Sequence, residues 1–159
     1  MRTIAVLTSS DASYQAIRAD TSGTLLQRLA GAIGTVVAYR VLPDEADQLI
    51  SQMREWVDQG IHLILTTGGT GLGPRDVMPE ATRAVIDREI PGIPEAMRQA
   101  SLAHTPFGMI SRAVAGLART TLIINFPGSP KAIEQLWPVV LPILPHALDV
   151  SHGKTQHEK

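Results

Sequence analysis

The run Ile61-His62-Leu63-Ile64-Leu65 is almost continuously apolar and ends in Thr66-Thr67. A strand that is apolar on both faces needs cover on both, and sheets covered in this way are built from parallel strands joined by helical crossovers. The rest of the chain supplies both ingredients. Short β-rich runs also occur at Thr3 to Thr8, Thr35 to Leu42 and Thr121 to Phe126. Between the first and second runs, Leu25, Leu26, Leu29, Ala30 and Ile33 recur at helical spacing. Between the second and third, Ala46, Leu49, Ile50, Met53, Trp56 and Val57 do the same, with Gly60 as a stop. The predicted class is α/β, a three-layer α/β/α sandwich around a mainly parallel sheet with right-handed crossovers.

After residue 78 the pattern is helical again, with Pro79 as a first helical residue and Ala81, Ala84 and Val85 facing one way. A loop at Ile90 to Pro94 leads to a short helix ending near Ala103. Thr105 to Arg119 carries no strong period and reads as a small irregular hairpin. The final stripe, from Ile133 through Leu136, Trp137, Val140, Leu141 and Leu144 to Leu148, keeps its register across Pro138, Pro142 and Pro145. Interior prolines break the hydrogen-bond ladder, so two short helices or one kinked helix are expected there. Trp56 and Trp137 fall on the apolar stripes as core residues. One domain over residues 1–150 is expected, followed by a polar, disordered tail over 151–159.

Composition narrows the function. The 159 residues are 44% apolar and 18% charged, with net charge −1, so no basic face for nucleic acid or anionic lipid is expected. The absence of cysteine excludes disulfides, thiolate metal sites and a cysteine nucleophile. No run approaches the roughly 18 residues of a membrane span, and the N-terminal run is too short for a signal peptide, so a soluble cytoplasmic protein is expected. The five histidines share no ligand-like spacing, and none is placed with an acid to activate Ser9, Ser10 or Ser22.

Ligands of open α/β sheets bind beyond the carboxyl ends of the strands. The segments there are Thr8-Ser9-Ser10-Asp11, Leu42-Pro43-Asp44-Glu45, Thr66 to Asp76, and Asn125-Phe126-Pro127-Gly128-Ser129-Pro130-Lys131. They are rich in hydroxyls, carboxylates and glycines, a composition that suits a polyanionic ligand. Four glycines in six residues, Gly68, Gly69, Gly71 and Gly73, let a backbone approach a ligand closely and turn N–H groups toward an anion. The loop matches neither the Walker A pattern nor G-x-G-x-x-G. A plain strand-to-helix turn is the alternative, against which Thr66, Thr67, Thr70 and Arg75-Asp76 favour phosphate. Asp44 and Asp76 each follow a strand end. They can be read as a helix cap and as a turn or Arg75 contact, or as a pair of carboxylates sharing magnesium with phosphate oxygens. Ser129-Pro130 starts a helix whose N-terminus would favour an anion, with Lys131 nearby.

At these residues the chain resembles the molybdopterin adenylyltransferase family of molybdenum cofactor biosynthesis, the MogA/MoaB type. Leu65 to Ala81, LTTGGTGLGPRDVMPEA, is similar to the family's T-T-G-G-T-G-x-x-x-R-D-x-T-P-E-A signature. Asp20-Thr21-Ser22-Gly23 resembles its D-x-S-G element, Val41 to Asp44 its strand end, Leu102 to Arg112 the stretch closing on L/I-S-R, and Asn125 to Pro130 its N-L/F-P-G-S-P loop. The resemblance implies the molybdopterin-binding fold, a trimer or hexamer, and adenylylation of molybdopterin by ATP with magnesium, releasing pyrophosphate before a molybdenum-inserting partner enzyme acts. A non-catalytic molybdopterin-binding or scaffold protein of the same pathway is the alternative. Carried over by position, Asp44 and Asp76 are the catalytic, magnesium-holding residues. Ser22, Gly23, Thr67, Gly68, Gly69, Thr70, Gly71, Ser111, Asn125, Pro127, Gly128 and Ser129 fall in ligand-binding segments. The chain departs from the family at Met78, where a threonine is usual, and at Ser10 to Ser13, which lack an arginine often found there.

Overall fold

Alternation along the strands sends successive side chains to opposite faces, and both faces are filled. A computed structural model describes residues Met1–Lys154. Its strands are β1 (Thr3–Ser9), β2 (Thr35–Leu42), β3 (Leu63–Thr67), β4 (Arg88–Glu89), β5 (Ala115–Ala118) and β6 (Thr121–Phe126). They form one sheet in the order β2-β1-β3-β6-β5-β4. The pairs β1–β2, β1–β3 and β3–β6 are parallel, while β5 runs antiparallel to β6 and β4 to β5. Every residue of β3 is buried, as its continuous apolar run requires.

The helices are α1 (Asp11–Tyr14), α2 (Thr21–Ala30), α3 (Ala46–Asp58), α4 (Met78–Val85), α5 (Gly92–Leu102), α6 (Pro130–Val140) and α7 (Leu144–Ser151). Ile4, Val6, Leu63, Leu65, Leu122 and Ile124 pack on one side of the sheet against α2, α5, α6 and α7. Ala5, Leu7, Ile64 and Ile123 pack on the other side against α3 and α4. Trp56 and Trp137 lie in these two cores, and Phe126 sits against Trp137 with ring centroids 6.1 Å apart. The three-layer α/β sandwich follows directly from this division. None of the described helices is long and apolar enough to cross a membrane.

The proline-rich end resolves into a helix containing Pro138, a 3₁₀ turn at Leu141–Ile143 and a second helix. The segment Thr105 to Arg119 holds no hairpin of its own. It forms a 3₁₀ turn at Pro106–Ile110 and then β5, which folds back on β6 around Arg119 at φ +53. The helix placed after Pro94 begins at Gly92. Ser151, where the sequence places the start of a tail, belongs to α7, and the Lys154 N–H returns to the Asp149 carbonyl at 2.9 Å. Residues 155–159 lie outside the described part.

Candidate active site

The sheet order reverses at β1, with β2 on one side and β3 on the other, so the loops leaving them part and open a crevice at their carboxyl ends. A cleft of about 410 Å³ lies there. Its floor is built by side chains that tie the strand ends to one another. Thr8 Oγ1 donates to Asp20 Oδ2 at 2.6 Å, and Ser9 Oγ donates to Asp44 Oδ1 at 2.5 Å. Asp11 and Asp44 exchange bonds: the Asp11 N–H donates to Asp44 Oδ2 at 3.1 Å and the Asp44 N–H to Asp11 Oδ1 at 2.9 Å. Arg75 closes a fork on Asp11 with Nε at 3.1 Å and Nη2 at 3.0 Å. That guanidinium, with the Asp44 N–H second, holds the Asp11 carboxyl below its ordinary range.

Two of the bland explanations for the paired aspartates therefore do not hold. The N-cap of α3 is Glu45, which makes no side-chain capping bond, so Asp44 is not the helix cap. Arg75 pairs with Asp11 rather than with Asp76. Asp76 does make a turn contact: its Oδ2 accepts the Gly73 N–H at 2.8 Å, and its own N–H donates to the Gly73 carbonyl at 3.0 Å.

Asp20 caps α2 by accepting the Gly23 N–H at 2.9 Å, and the Tyr39 hydroxyl donates to its other oxygen. Burial, helped by the Asp20 charge, pushes the Tyr39 phenol well above its usual range. A Cβ on Gly23 would stand 2.1 Å from Asp20 Oδ2, so only glycine lets the capping carboxylate sit this close. Ser22 Oγ donates to the Gly128 carbonyl at 2.5 Å, joining the start of α2 to the loop after β6.

The glycine loop is held from three sides. Thr67 Oγ1 donates to the Pro127 carbonyl at 2.8 Å, and the Gly68 N–H donates to the Phe126 carbonyl at 3.3 Å. Gly68 and Gly69 have φ +89 and +69, a region costly for residues with a Cβ. Arg112 grips the far side. Its N–H donates to the Thr70 carbonyl at 2.9 Å, Nε to Gly71 at 2.7 Å and Nη2 to the Asp76 carbonyl at 2.9 Å, while Nη1 pairs with Glu80. The Gly68 N–H is thus committed to Phe126. The N–H groups of Gly69, Thr70 and Gly71 have no acceptor among the described residues. Met78, in place of a threonine, gives α4 no side-chain cap and instead fills the core beneath the loop.

Of the residues singled out from sequence, Asp44, Asp76, Ser22, Thr67, Gly68, Gly69 and Gly128 line the cleft. The others sit around it. Gly23 contacts Asp20, Thr70 and Gly71 give carbonyls to Arg112, and Pro127 gives its carbonyl to Thr67. Ser129 caps α6 through the Ala132 N–H at 3.4 Å. Ser111 Oγ accepts the Ala113 N–H at 3.4 Å. Asn125 is fully buried: its Nδ2 donates to Thr66 Oγ1 and Thr82 Oγ1, each at 2.9 Å, and its Oδ1 accepts the Val114 N–H at 3.1 Å. Its amide braces the strand ends from inside. Arg18 and Asp20 also line the cleft. Asp20 was visible as the first residue of its four-residue motif; Arg18 carries no local signal.

The family model described as "Probable molybdopterin binding domain" matches residues 5–146. The chain belongs to this molybdopterin-binding domain family. The domain is 45% identical to the molybdopterin biosynthesis enzyme MoaB of Thermus thermophilus, whose crystal structure superposes with a TM-score of 0.90 over 97% of this chain and 98% of that one. It is 35% identical to a molybdopterin adenylyltransferase of Helicobacter pylori, over 94% of this chain and 88% of the relative. It is also 41% identical to the molybdenum cofactor synthesis protein cinnamon of Drosophila melanogaster, over 98% of this chain but 27% of that protein. The domain thus spans about a quarter of cinnamon's length and most of the bacterial relative's.

Proposed function

We propose that this domain is a nucleotidyltransferase that adenylylates molybdopterin with ATP and magnesium and releases pyrophosphate. The observation that carries the reading is the meeting of Asp44, Asp76 and the glycine loop on one cleft at the β1/β3 divide, in a chain this similar to a molybdopterin adenylyltransferase.

In the reaction, a phosphate oxygen of molybdopterin attacks the α-phosphorus of ATP, and the bond from that phosphorus to the pyrophosphate oxygen breaks. A phosphate monoester, with its second pKa near about 6, is already largely ionised at neutral pH, so the nucleophile needs no strong base. What remains is alignment of two anions and relief of their repulsion. Asp44 and Asp76 offer carboxylate oxygens in a cleft whose lining also includes the hydroxyls of Thr8, Ser9, Ser10, Ser22 and Thr67, an oxygen donor set that suits a hard cation. Magnesium held there would neutralise charge on the triphosphate. Asp44 is kept in position by Ser9 and Asp11, and Asp76 by Gly73, while Arg112 fixes the loop that carries Asp76. Gly69 is the loop residue that lines the cleft and whose N–H has no acceptor among the described residues.

The proposal extends to a cytoplasmic homo-oligomer, trimer or hexamer, that passes its product to a molybdenum-inserting enzyme. Leu72, Phe107 and Met109 support the assembly: they are 65%, 73% and 69% exposed, and the Arg112–Thr70 bond brings their two segments together. Light scattering at micromolar concentration is expected to show no monomer.

The test is pyrophosphate release with single components omitted. Release that requires molybdopterin, ATP and magnesium together is the expected result. ATP turnover without the pterin would make the protein a different transferase, and pterin binding without turnover would make it a scaffold.

A further inference from the structure

The cleft walls carry Asp20, Asp44 and Asp76, three carboxylates facing a ligand expected to be anionic. Among the described residues lining it, Arg18 is the sole basic side chain. The neighbouring arginines are spent elsewhere. Arg75 is forked onto Asp11, and the Arg112 guanidinium is taken up by the Gly71 and Asp76 carbonyls and Glu80. Lys131, which follows the lining residue Pro130, is exposed and does not line the cleft.

Arg18, by contrast, is held in place by its backbone while its head stays free. Its N–H and that of Ile17 return to the Ala12 carbonyl at 3.4 and 2.9 Å, which folds the segment between α1 and α2 back over β1's end. Among the described residues its guanidinium makes one long bond, Nη2 to Ser10 Oγ at 3.4 Å, and that hydroxyl oxygen is already accepting the Ser13 N–H as the cap of α1. Most of the five N–H donors of a guanidinium therefore remain available, in the fork geometry that matches two oxygens of one phosphate.

We infer that Arg18 is the side-chain cation that grips a phosphate group of the substrate in this cleft. The inference rests on the reading of the cleft as a nucleotide and molybdopterin site. It places the positive contact on the α1–α2 segment, whereas Ser10 to Ser13, the stretch where an arginine is often found in the family, has none. Both substrates present phosphate, the nucleotide as its polyphosphate chain and the pterin as a monoester, and the test separates them.

Binding of Mg·ATP and of molybdopterin is measured separately by titration calorimetry on the wild type, Arg18→Ala and Arg18→Lys, with urea midpoints as a folding control. Arg18→Ala is expected to keep the wild-type midpoint and to lose about ten- to a hundredfold in affinity for one of the two ligands, the range of a charge-assisted hydrogen bond. Arg18→Lys should recover part of that loss, keeping the charge without the fork. A loss for Mg·ATP assigns Arg18 to the nucleotide, and a loss for molybdopterin assigns it to the pterin phosphate. If the wild type binds both and Arg18→Ala binds both equally well, the role of Arg18 is refuted and the site reading stands. If the wild type binds neither, the site reading falls and Arg18 with it.

Discussion

Two glycines of similar positive φ separate the cost of that φ from the cost of a crowded Cβ. Gly60 has φ +75 and Gly68 φ +89. A Cβ built on Gly60 meets nothing within 4 Å among the described residues, so Gly60→Ala should cost only the conformational penalty, about 1–2 kcal/mol. A Cβ on Gly68 stands 2.3 Å from the Ser9 carbonyl oxygen and 3.3 Å from its carbon. Ser9 is the last residue of β1, which is paired on both sides, so the oxygen cannot swing away and the loop has to move. Movement would strain the bonds from Gly68 to Phe126 and from Thr67 to Pro127, each worth about 1 kcal/mol. Adding these to the conformational penalty puts Gly68→Ala at roughly 3–4 kcal/mol. Equilibrium urea unfolding of both variants measures the difference, which should be about 2 kcal/mol with unchanged slopes. Equal costs would refute the argument that the glycine loop is specified by its approach to β1.

Arg112→Gln removes the guanidinium bonds to the Gly71 and Asp76 carbonyls and to Glu80, keeps the backbone bond to Thr70, and changes a residue that does not itself line the cleft. It should raise KM and lower kcat together for the proposed transfer, and hydrogen exchange should rise in residues 70–76; a variant with wild-type exchange there would show that the clamp is not needed. Acid stability should report on His62, whose Nδ1 accepts the Thr3 N–H at 3.3 Å and whose ring stacks on His152 at 4.5 Å. Burial first, then the His152 charge, lower its pKa from 6.5. The unfolded chain therefore binds more protons at mildly acid pH. The contribution of His62 is complete above its unfolded pKa and is lost as pH falls below 6.5 toward the folded value. Urea midpoints at about pH 7.5 and about pH 5.5 should differ more for the wild type than for His62→Gln, and equal differences would contradict the assignment.

The parallel half of the sheet is legible in the sequence: β1, β3 and β6 are buried and leave near-continuous apolar runs, and the edge strand β2, none of whose residues is buried, still reads as a strand from its Thr, Val and Tyr residues; β2 and β6 coincide with their expected bounds. The antiparallel edge is not. β4 is two exposed charged residues and β5 is Ala115-Gly116-Leu117-Ala118, mostly small side chains without alternation; β5 is a strand because β6 offers an edge, and β4 because β5 offers the next. The site shows the same division. Glycines and aspartates announce themselves by type and by position after a strand. Asn125 reads as a ligand residue by its loop, yet its burial turns its amide into a brace. Arg112 closes a stretch visible in the sequence, but its role as a clamp rests on contacts with the glycine loop across the fold, and Arg18 is placed by the return of its backbone to the Ala12 carbonyl, a turn that the sequence does not announce.

The proposed adenylyl transfer depends on Asp76 together with Asp44. Asp76→Asn is a clean test, because an amide oxygen can still accept the Gly73 N–H while the negative charge is lost. Product is followed by mass spectrometry of molybdopterin incubated with ATP and magnesium. Adenylylated molybdopterin is expected from the wild type, with formation slower by on the order of a hundredfold in Asp76→Asn and an unchanged urea midpoint. Equal rates for the two proteins would contradict it.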